Sequence, residues 1–338
     1  MSADVVSKDK SMIIKGIAIL FMIAHHCLIK EFYIDAPDFL LTPLSRYLQT
    51  GNKMCVGLFT FFIGYGSFYA KSFDTSYVTS RIWRLTKQYW LILFFTVLIA
   101  FAFTGSLRGN TEIGGGKLLL LNALGLRHEY NLANWYIYFY VYALFVLSII
   151  FRLCRKRSWT KFVVITLTCG FISYNINSQH YLFNALDECL RYTPTLMMGY
   201  LCAKTQILSD VASKMDNRYV WLVIAVLAFV CRCYSTSIRG FVTDVVFVPV
   251  FVLSLSMLFI GYESSVFSKS LTVLGRNSTL MWFFHVIPLS DATRKFFQDS
   301  PFWINNVLVQ FMLLTILSYI VAWLLNKLFY KLNIISKK

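Results

Sequence analysis

Lys15 and His26 lie eleven residues apart in one apolar run, Lys15-Gly16-Ile17-Ala18-Ile19-Leu20-Phe21-Met22-Ile23-Ala24-His25-His26. On an α-helix eleven residues turn about 1100°, roughly 20° past three full turns, so the cation and the imidazole share a stripe. The rise between them is about 16 Å, half the hydrocarbon thickness of a bilayer. An imidazole takes up and returns a proton near neutral pH, which makes this one a candidate general base. His25 lies about 80° off the stripe and is the secondary candidate. A pair of interfacial histidines bonded to lipid headgroups or neighbouring helices is the plainer alternative. If one of the two is a base, the shared stripe selects His26.

Other residues have types and spacings that suit chemistry. Arg81 and Arg84 are i,i+3 on a helix and could clamp an anionic group, although the enrichment of basic residues at an inner membrane face also accounts for them. Trp135 and Tyr136 follow Asn134 at the head of an apolar segment, either as an aromatic belt or as a substrate lining. Glu188 and Arg191 are again i,i+3 and read as an ion pair. His285, in Trp282-Phe283-Phe284-His285, is placed about eight residues into a late apolar segment. An intramembrane histidine is a site hypothesis by default, with a helix–helix hydrogen bond as the alternative. Gly64 and Gly66, in Phe61-Phe62-Ile63-Gly64-Tyr65-Gly66, allow close helix packing or a kink.

The elements that must position these groups follow from composition. Of 338 residues 57% are hydrophobic and only 14% charged, well under the charge of a soluble chain, and 31 are Phe. Long, nearly uncharged windows make this an all-α, polytopic membrane protein, and the absence of alternating ten-residue strands argues against an outer-membrane barrel. A net charge of +16 would suggest nucleic acid in a soluble chain, but here it reads as basic loops on one side of a membrane. The eight cysteines form no CxxC or His-paired spacing, so neither a metal site nor a disulfide framework is expected. The first apolar segment ends in His-His-Cys rather than a small-residue cleavage site, so no cleaved signal peptide is expected.

Ten transmembrane helices are predicted: Ser11–Leu28, Lys53–Ala70, Gln88–Thr104, Leu132–Phe151, Lys161–Asn175, Cys189–Ala203, Tyr219–Tyr234, Val242–Gly261, Asn277–Ser290 and Ile304–Leu325. The piece Lys117–Leu126 is too short to span and reads as interfacial or re-entrant. With the N-terminus inside, 21 of the 32 basic residues fall on the inner side, the Arg152-Leu153-Cys154-Arg155-Lys156-Arg157 cluster foremost, so both termini are expected in the cytoplasm. Gly114-Gly115-Gly116 is a hinge rather than a phosphate-binding loop, since no Lys-Ser/Thr follows. A single membrane domain, residues 1–338, is expected.

Taken in order, these pieces resemble the acyltransferase-3 family of integral membrane O-acyltransferases, which acylate bacterial surface glycans. Lys15 and His26 keep the family's Arg-x10-His spacing, with Lys in place of Arg. The second span resembles its Phe-Phe-x-Ser-Gly-Tyr segment, with Ile63 where Ser is usual. Arg81, Arg84, Leu85 and Tyr89-Trp90 match its basic inner loop. Trp135-Tyr136 resembles the opening of its fourth helix, Arg191 to Met198-Gly199-Tyr200 a Gly-Tyr segment, and Gly275-Arg276-Asn277-Ser278 through His285 its late segment.

The resemblance implies a bacterial inner-membrane enzyme that takes an acetyl or other short acyl group from cytoplasmic acyl-CoA to an extracytoplasmic sugar hydroxyl, with no metal. It implies that the acetyl-CoA phosphates dock at Arg81, Arg84 and Lys15. Its pantetheine arm would lie beside the first helix, with Trp135, Tyr136, Arg191 and His285 lining the path. His26 then serves as general base or, in a variant, as an acyl-histidine nucleophile. The competing reading is a transporter or flippase that uses His26 and His285 as proton-relay groups. It would gain from an inverted repeat or paired broken helices, and the sequence carries neither.

Overall fold

The computed structural model describes residues 5–70, 74–105, 114–153, 159–176, 181–235, 243–301 and 303–331. Lys71, the Arg155-Lys156-Arg157 part of the basic cluster, Val242 and Lys337-Lys338 lie outside the described residues.

Among the described residues the chain is helical, with no strand. In chain order the helices are α1 (Lys8–Cys27), α2 (Asp38–Leu41), α3 (Pro43–Asn52), α4 (Met54–Phe68), α5 (Thr75–Thr104), α6 (Gly115–Ala123), α7 (Trp135–Leu153) and α8 (Trp159–Asn175). They continue with α9 (Tyr181–Thr205), α10 (Ile207–Ala212), α11 (Arg218–Tyr234), α12 (Asp244–Leu258), α13 (Val266–His285), α14 (Arg294–Gln298) and α15 (Val307–Lys331). Each of the ten predicted apolar segments falls on a helix, and the short piece Lys117–Leu126 overlaps α6. Lys8–Cys27, Thr75–Phe103 and Val307–Lys331 are long and apolar enough to cross a membrane by themselves, while Trp135–Ile150 and Asp244–Leu258 are apolar but shorter.

Two boundaries differ from the sequence reading in ways that matter for the site. The segment expected to begin at Asn277 is the second half of α13, which starts at Val266, so His285 is its last residue rather than a mid-span one. Nothing before Gly275 breaks the helix, and Pro288, three residues past its end, cannot continue it. The segment expected from Gln88 starts at Thr75 instead. The Asp74 carboxylate accepts from the Tyr77 N–H at 2.7 Å, Gly105 closes the helix in the left-handed region (φ 65°), and no Pro or Gly intervenes. One helix therefore carries Arg81 and Arg84 together with Tyr89.

Two compact units make up the chain. The first comprises Met1–Met22, Tyr47–Phe73 and Tyr142–Arg276. Its centre is α4 against α9, where backbones touch: a Cβ on Gly64 would lie 2.0 Å from the Leu196 carbonyl oxygen, and one on Gly199 would lie 2.1 Å from that of Phe61. Beside them Arg232 Nε donates to Asp244 Oδ1 at 2.6 Å, with both side chains buried and the carboxylate lying flat on Gly57. This ion pair ties α11, α12 and α4 together. The first part of α1 packs on the first part of α13 in the same glycine-mediated way, Gly16 against the Leu271 carbonyl and Gly275 against that of Met12.

The second unit comprises Ile23–Arg46, Asp74–Val141 and Asn277–Lys338. In both units apolar side chains also face outward: Val164, Leu167 and Phe171 on α8, Leu222, Val226 and Leu227 on α11, and Leu308, Ile316 and Leu324 on α15 are all exposed. Such faces call for an apolar solvent.

Candidate active site

Seven of the nine residues given a catalytic, donor-binding or lining role from the sequence, His25, His26, Arg81, Arg84, Trp135, Tyr136 and His285, belong to the second unit, although three separate stretches supply them. Lys15 and Arg191 belong to the first.

The last turn of α13 organises the second unit. Neighbouring side chains on a helix point about 100° apart, and here they reach three different helices. Trp282 stacks on Tyr136 at the head of α7, with centroids 4.3 Å apart and planes 30° apart. Phe283 packs on Tyr89 of α5 at 5.3 Å. His285 meets His26 at the end of α1, with ring centroids 5.0 Å apart and His26 Nδ1 3.1 Å from His285 Nε2. The other ring nitrogen of His285, Nδ1, donates to the Met281 carbonyl at 3.0 Å, and the His285 side chain is fully buried. On its remaining sides His26 stacks on Phe32 at 6.5 Å and meets the edge of His25 at 5.1 Å.

A polar network holds α6, the loop after it and the head of α7 against this turn. Tyr89 Oη donates to the Asn122 carbonyl at 2.7 Å and accepts from Asn134 Nδ2 at 3.1 Å. Asn122 Nδ2 and Arg127 Nε donate to Glu129 at 3.0 and 2.6 Å, and Asn134 Nδ2 also donates to the Arg127 carbonyl. From this loop Asn131 Nδ2 donates to the Phe283 carbonyl at 2.7 Å, the Leu132 N–H to Ser290 Oγ at 3.3 Å, and the Ala292 N–H to the Glu129 carbonyl at 3.1 Å. Burial would raise the Glu129 carboxyl, but its backbone hydrogen bond, those from Arg127 and Asn122, and the Arg127 charge outweigh that and hold it below the ordinary glutamate value. Most polar atoms of this network are paired, which favours a single arrangement, while Asn134 Oδ1 is buried without a hydrogen bond.

The basic residues of α5 form a second cluster in the same unit. The Arg81 guanidinium lies 5.0 Å from the Tyr77 ring centroid and hydrogen-bonds Tyr140 of α7, with Arg84 also close to Tyr140. Arg81 is exposed and Arg84 half-buried, so both guanidinium groups remain partly accessible. Tyr140 was not singled out from the sequence. The available signal was its i,i+4 relation to Tyr136, which places both rings on one face of α7.

The remaining candidates sit in the first unit. Lys15 Nζ lies 5.4 Å from the centroid of Phe62, within the very segment that carries Gly64 and Gly66. Arg191 NH1 is 3.8 Å from Glu188 Oε1, the expected i,i+3 pair. Trp135 makes ring contacts with Tyr136 and Phe139 at the head of α7. Among the described residues no group of three or more His, Cys, Asp or Glu side chains could hold a metal ion.

The acyltransferase-3 family model, described as an acyltransferase domain, matches residues 12–327. The chain belongs to this family. The match runs from α1 through nearly all of α15, so it includes both histidines, both arginines and the whole polar network. Comparison with curated proteins and with solved structures returned no match. Acyltransferase-3 membership makes acyl transfer the chemistry to be explained. An imidazole can take up and return a proton near neutral pH, and His26 and His285 are two such groups in direct contact.

Proposed function

We propose that this acyltransferase spans the bacterial inner membrane about ten times with both termini cytoplasmic. In this reading it transfers an acetyl or other short acyl group from cytoplasmic acyl-CoA to a hydroxyl of an extracytoplasmic glycan or lipid-linked sugar. One observation carries the reading: the His26 imidazole is engaged by a second, fully buried imidazole, at the point where three helices converge on the end of α13. A histidine that served only as an interfacial anchor would not require such a partner.

In this reading the CoA phosphates meet Arg81 and Arg84, whose guanidinium forks suit phosphate oxygens, with Tyr77 and Tyr140 backing Arg81. Lys15 adds a cation earlier on the helix that carries His26. The thioester is presented near His26, which removes the proton from the sugar hydroxyl. The alkoxide attacks the thioester carbonyl carbon, the C–S bond breaks, and the CoA thiolate takes the proton back from His26. An acyl ester and free CoA-SH result.

Radiolabelled acetyl-CoA supplied to inside-out membrane vesicles tests this. Label should appear on glycan with the wild-type chain and with His25→Ala, and be lost with His26→Ala. Passage of a substrate across the membrane with no label transferred would replace this reading with the transporter one.

A further inference from the structure

We propose that His285 is a positioning residue that fixes the tautomer of His26, so that Nε2 of His26, and not Nδ1, is the basic nitrogen. The inference rests on the transferase reading above and deepens it.

Hydrogen-bond polarity decides the matter. A carbonyl oxygen only accepts, so the 3.0 Å contact between His285 Nδ1 and the Met281 oxygen puts a proton on Nδ1. A neutral imidazole with its proton on Nδ1 carries its lone pair on Nε2. That lone pair faces His26 Nδ1 at 3.1 Å, so His26 must be the donor and its own proton resides on Nδ1. The lone pair of His26 is thereby confined to Nε2.

The arrangement orders carbonyl, imidazole and imidazole in one line, the base oriented by a group that is itself oriented. When His26 Nε2 accepts the hydroxyl proton, the ring becomes an imidazolium and its Nδ1–H still points at the His285 lone pair, which stabilises the new charge. The proton can go no further than His285, because the chain of donors ends on an amide carbonyl that cannot be protonated at neutral pH. It therefore leaves from Nε2, onto the CoA thiolate. His285 neither gains nor loses a proton over the cycle.

The test compares His285→Gln, whose side-chain oxygen reaches the position of Nε2 and can accept from His26, with His285→Leu, which cannot. In the vesicle assay with radiolabelled acetyl-CoA, His285→Leu should lower kcat roughly 10- to 100-fold with KM for acetyl-CoA unchanged, and His285→Gln should recover most of that loss. Ring-nitrogen NMR shifts of the purified full-length protein, isotopically labelled at histidine, need no substrate. They should report His26 protonated on Nδ1 in the wild type and in His285→Gln, and a mixture of tautomers in His285→Leu. Wild-type kcat in His285→Leu, or a His26 proton on Nε2 in the wild type, overturns the inference. Gln and Leu variants that are equally impaired while both elute and melt like wild type also overturn it. Full transfer by His26→Ala would instead sink the parent reading, and the ring-nitrogen result would stand apart from it.

Discussion

His26 Nδ1 and His285 Nε2 stand 3.1 Å apart, on residues separated by 259 positions in the chain. The same offset relates Gly16 to Gly275 and Met12 to Leu271, where α1 and α13 meet backbone to backbone. The two helices thus run parallel and in one register at both places.

Substituting Gly275 tests the close approach of α1 and α13 in the first unit. A Cβ there would lie 2.0 Å from the Met12 carbonyl oxygen and 2.9 Å from its carbon, both backbone atoms, so the helices must part. Gly275→Ala should cost about 1–3 kcal/mol of stability, as overpacking does. It should also reduce acyl transfer although it touches neither histidine. Thermal unfolding in detergent beside the vesicle assay reads both, and a destabilised but fully active variant would uncouple the glycine contact from the histidine pair.

The guanidinium pair on α5 should act on donor binding. Arg81→Ala removes the group stacked on Tyr77 and bonded to Tyr140, and should raise KM for acetyl-CoA with little change in kcat. Arg81→Lys should restore only part of it, because an ammonium cannot present the paired donors of a guanidinium. Initial rates across acetyl-CoA concentrations decide the point, and an effect confined to kcat would remove Arg81 from the donor site.

The buried ion pair of the first unit predicts a non-additive result. Arg232→Met leaves Asp244 charged and buried without its partner, which should cost about 3–5 kcal/mol. Replacing both, Arg232→Met with Asp244→Leu, removes the stranded charge and should return most of that stability. Melting temperatures of the two singles and the double complete the cycle. Additive losses would show that the pair is not coupled.

The loop around Glu129 should respond to acid. Its carboxyl is lowered on folding, so its contribution to stability is fully present above the ordinary glutamate value of 4.5 and is lost as pH falls through the lowered folded value. Amide protection at Ala292, whose N–H is held by the Glu129 carbonyl, should therefore persist at pH 5 and fall only in stronger acid. In Glu129→Gln that acid-dependent loss should disappear, as hydrogen exchange corrected for intrinsic rates can show.

Much of this was legible in the sequence. The apolar segments found their helices because long uncharged runs have few other outcomes, and the Lys15–His26 spacing was legible because both residues lie on one helix. The Glu188–Arg191 pair followed from i,i+3 geometry for the same reason. The pairing of His26 with His285 was not legible, since no local period links residues on two distant helices. The start of α13 was misplaced because hydropathy marks where a chain turns apolar for long, whereas the first turns of Val266–His285 carry a polar stretch, Ser268-Lys269-Ser270, that is helical by continuity. Tyr140 and the Asn122–Glu129–Asn134 network escaped for a related reason: the i,i+4 relation of Tyr140 to Tyr136 does not point to Arg81 on another helix, and the amides meet their partners only on folding.

Within α1 the stretch from Gly16 to His26 acts as a ruler between a packed glycine and an imidazole. Adding one residue anywhere inside it would swing the imidazole by about 100° and advance it by about 1.5 Å. The same addition between Ile34 and Pro37, beyond the end of α1, would leave that measure untouched. Lineages descended from this chain should therefore hold the length of this interval constant even where its half-buried side chains, such as Ile17 and Leu20, change.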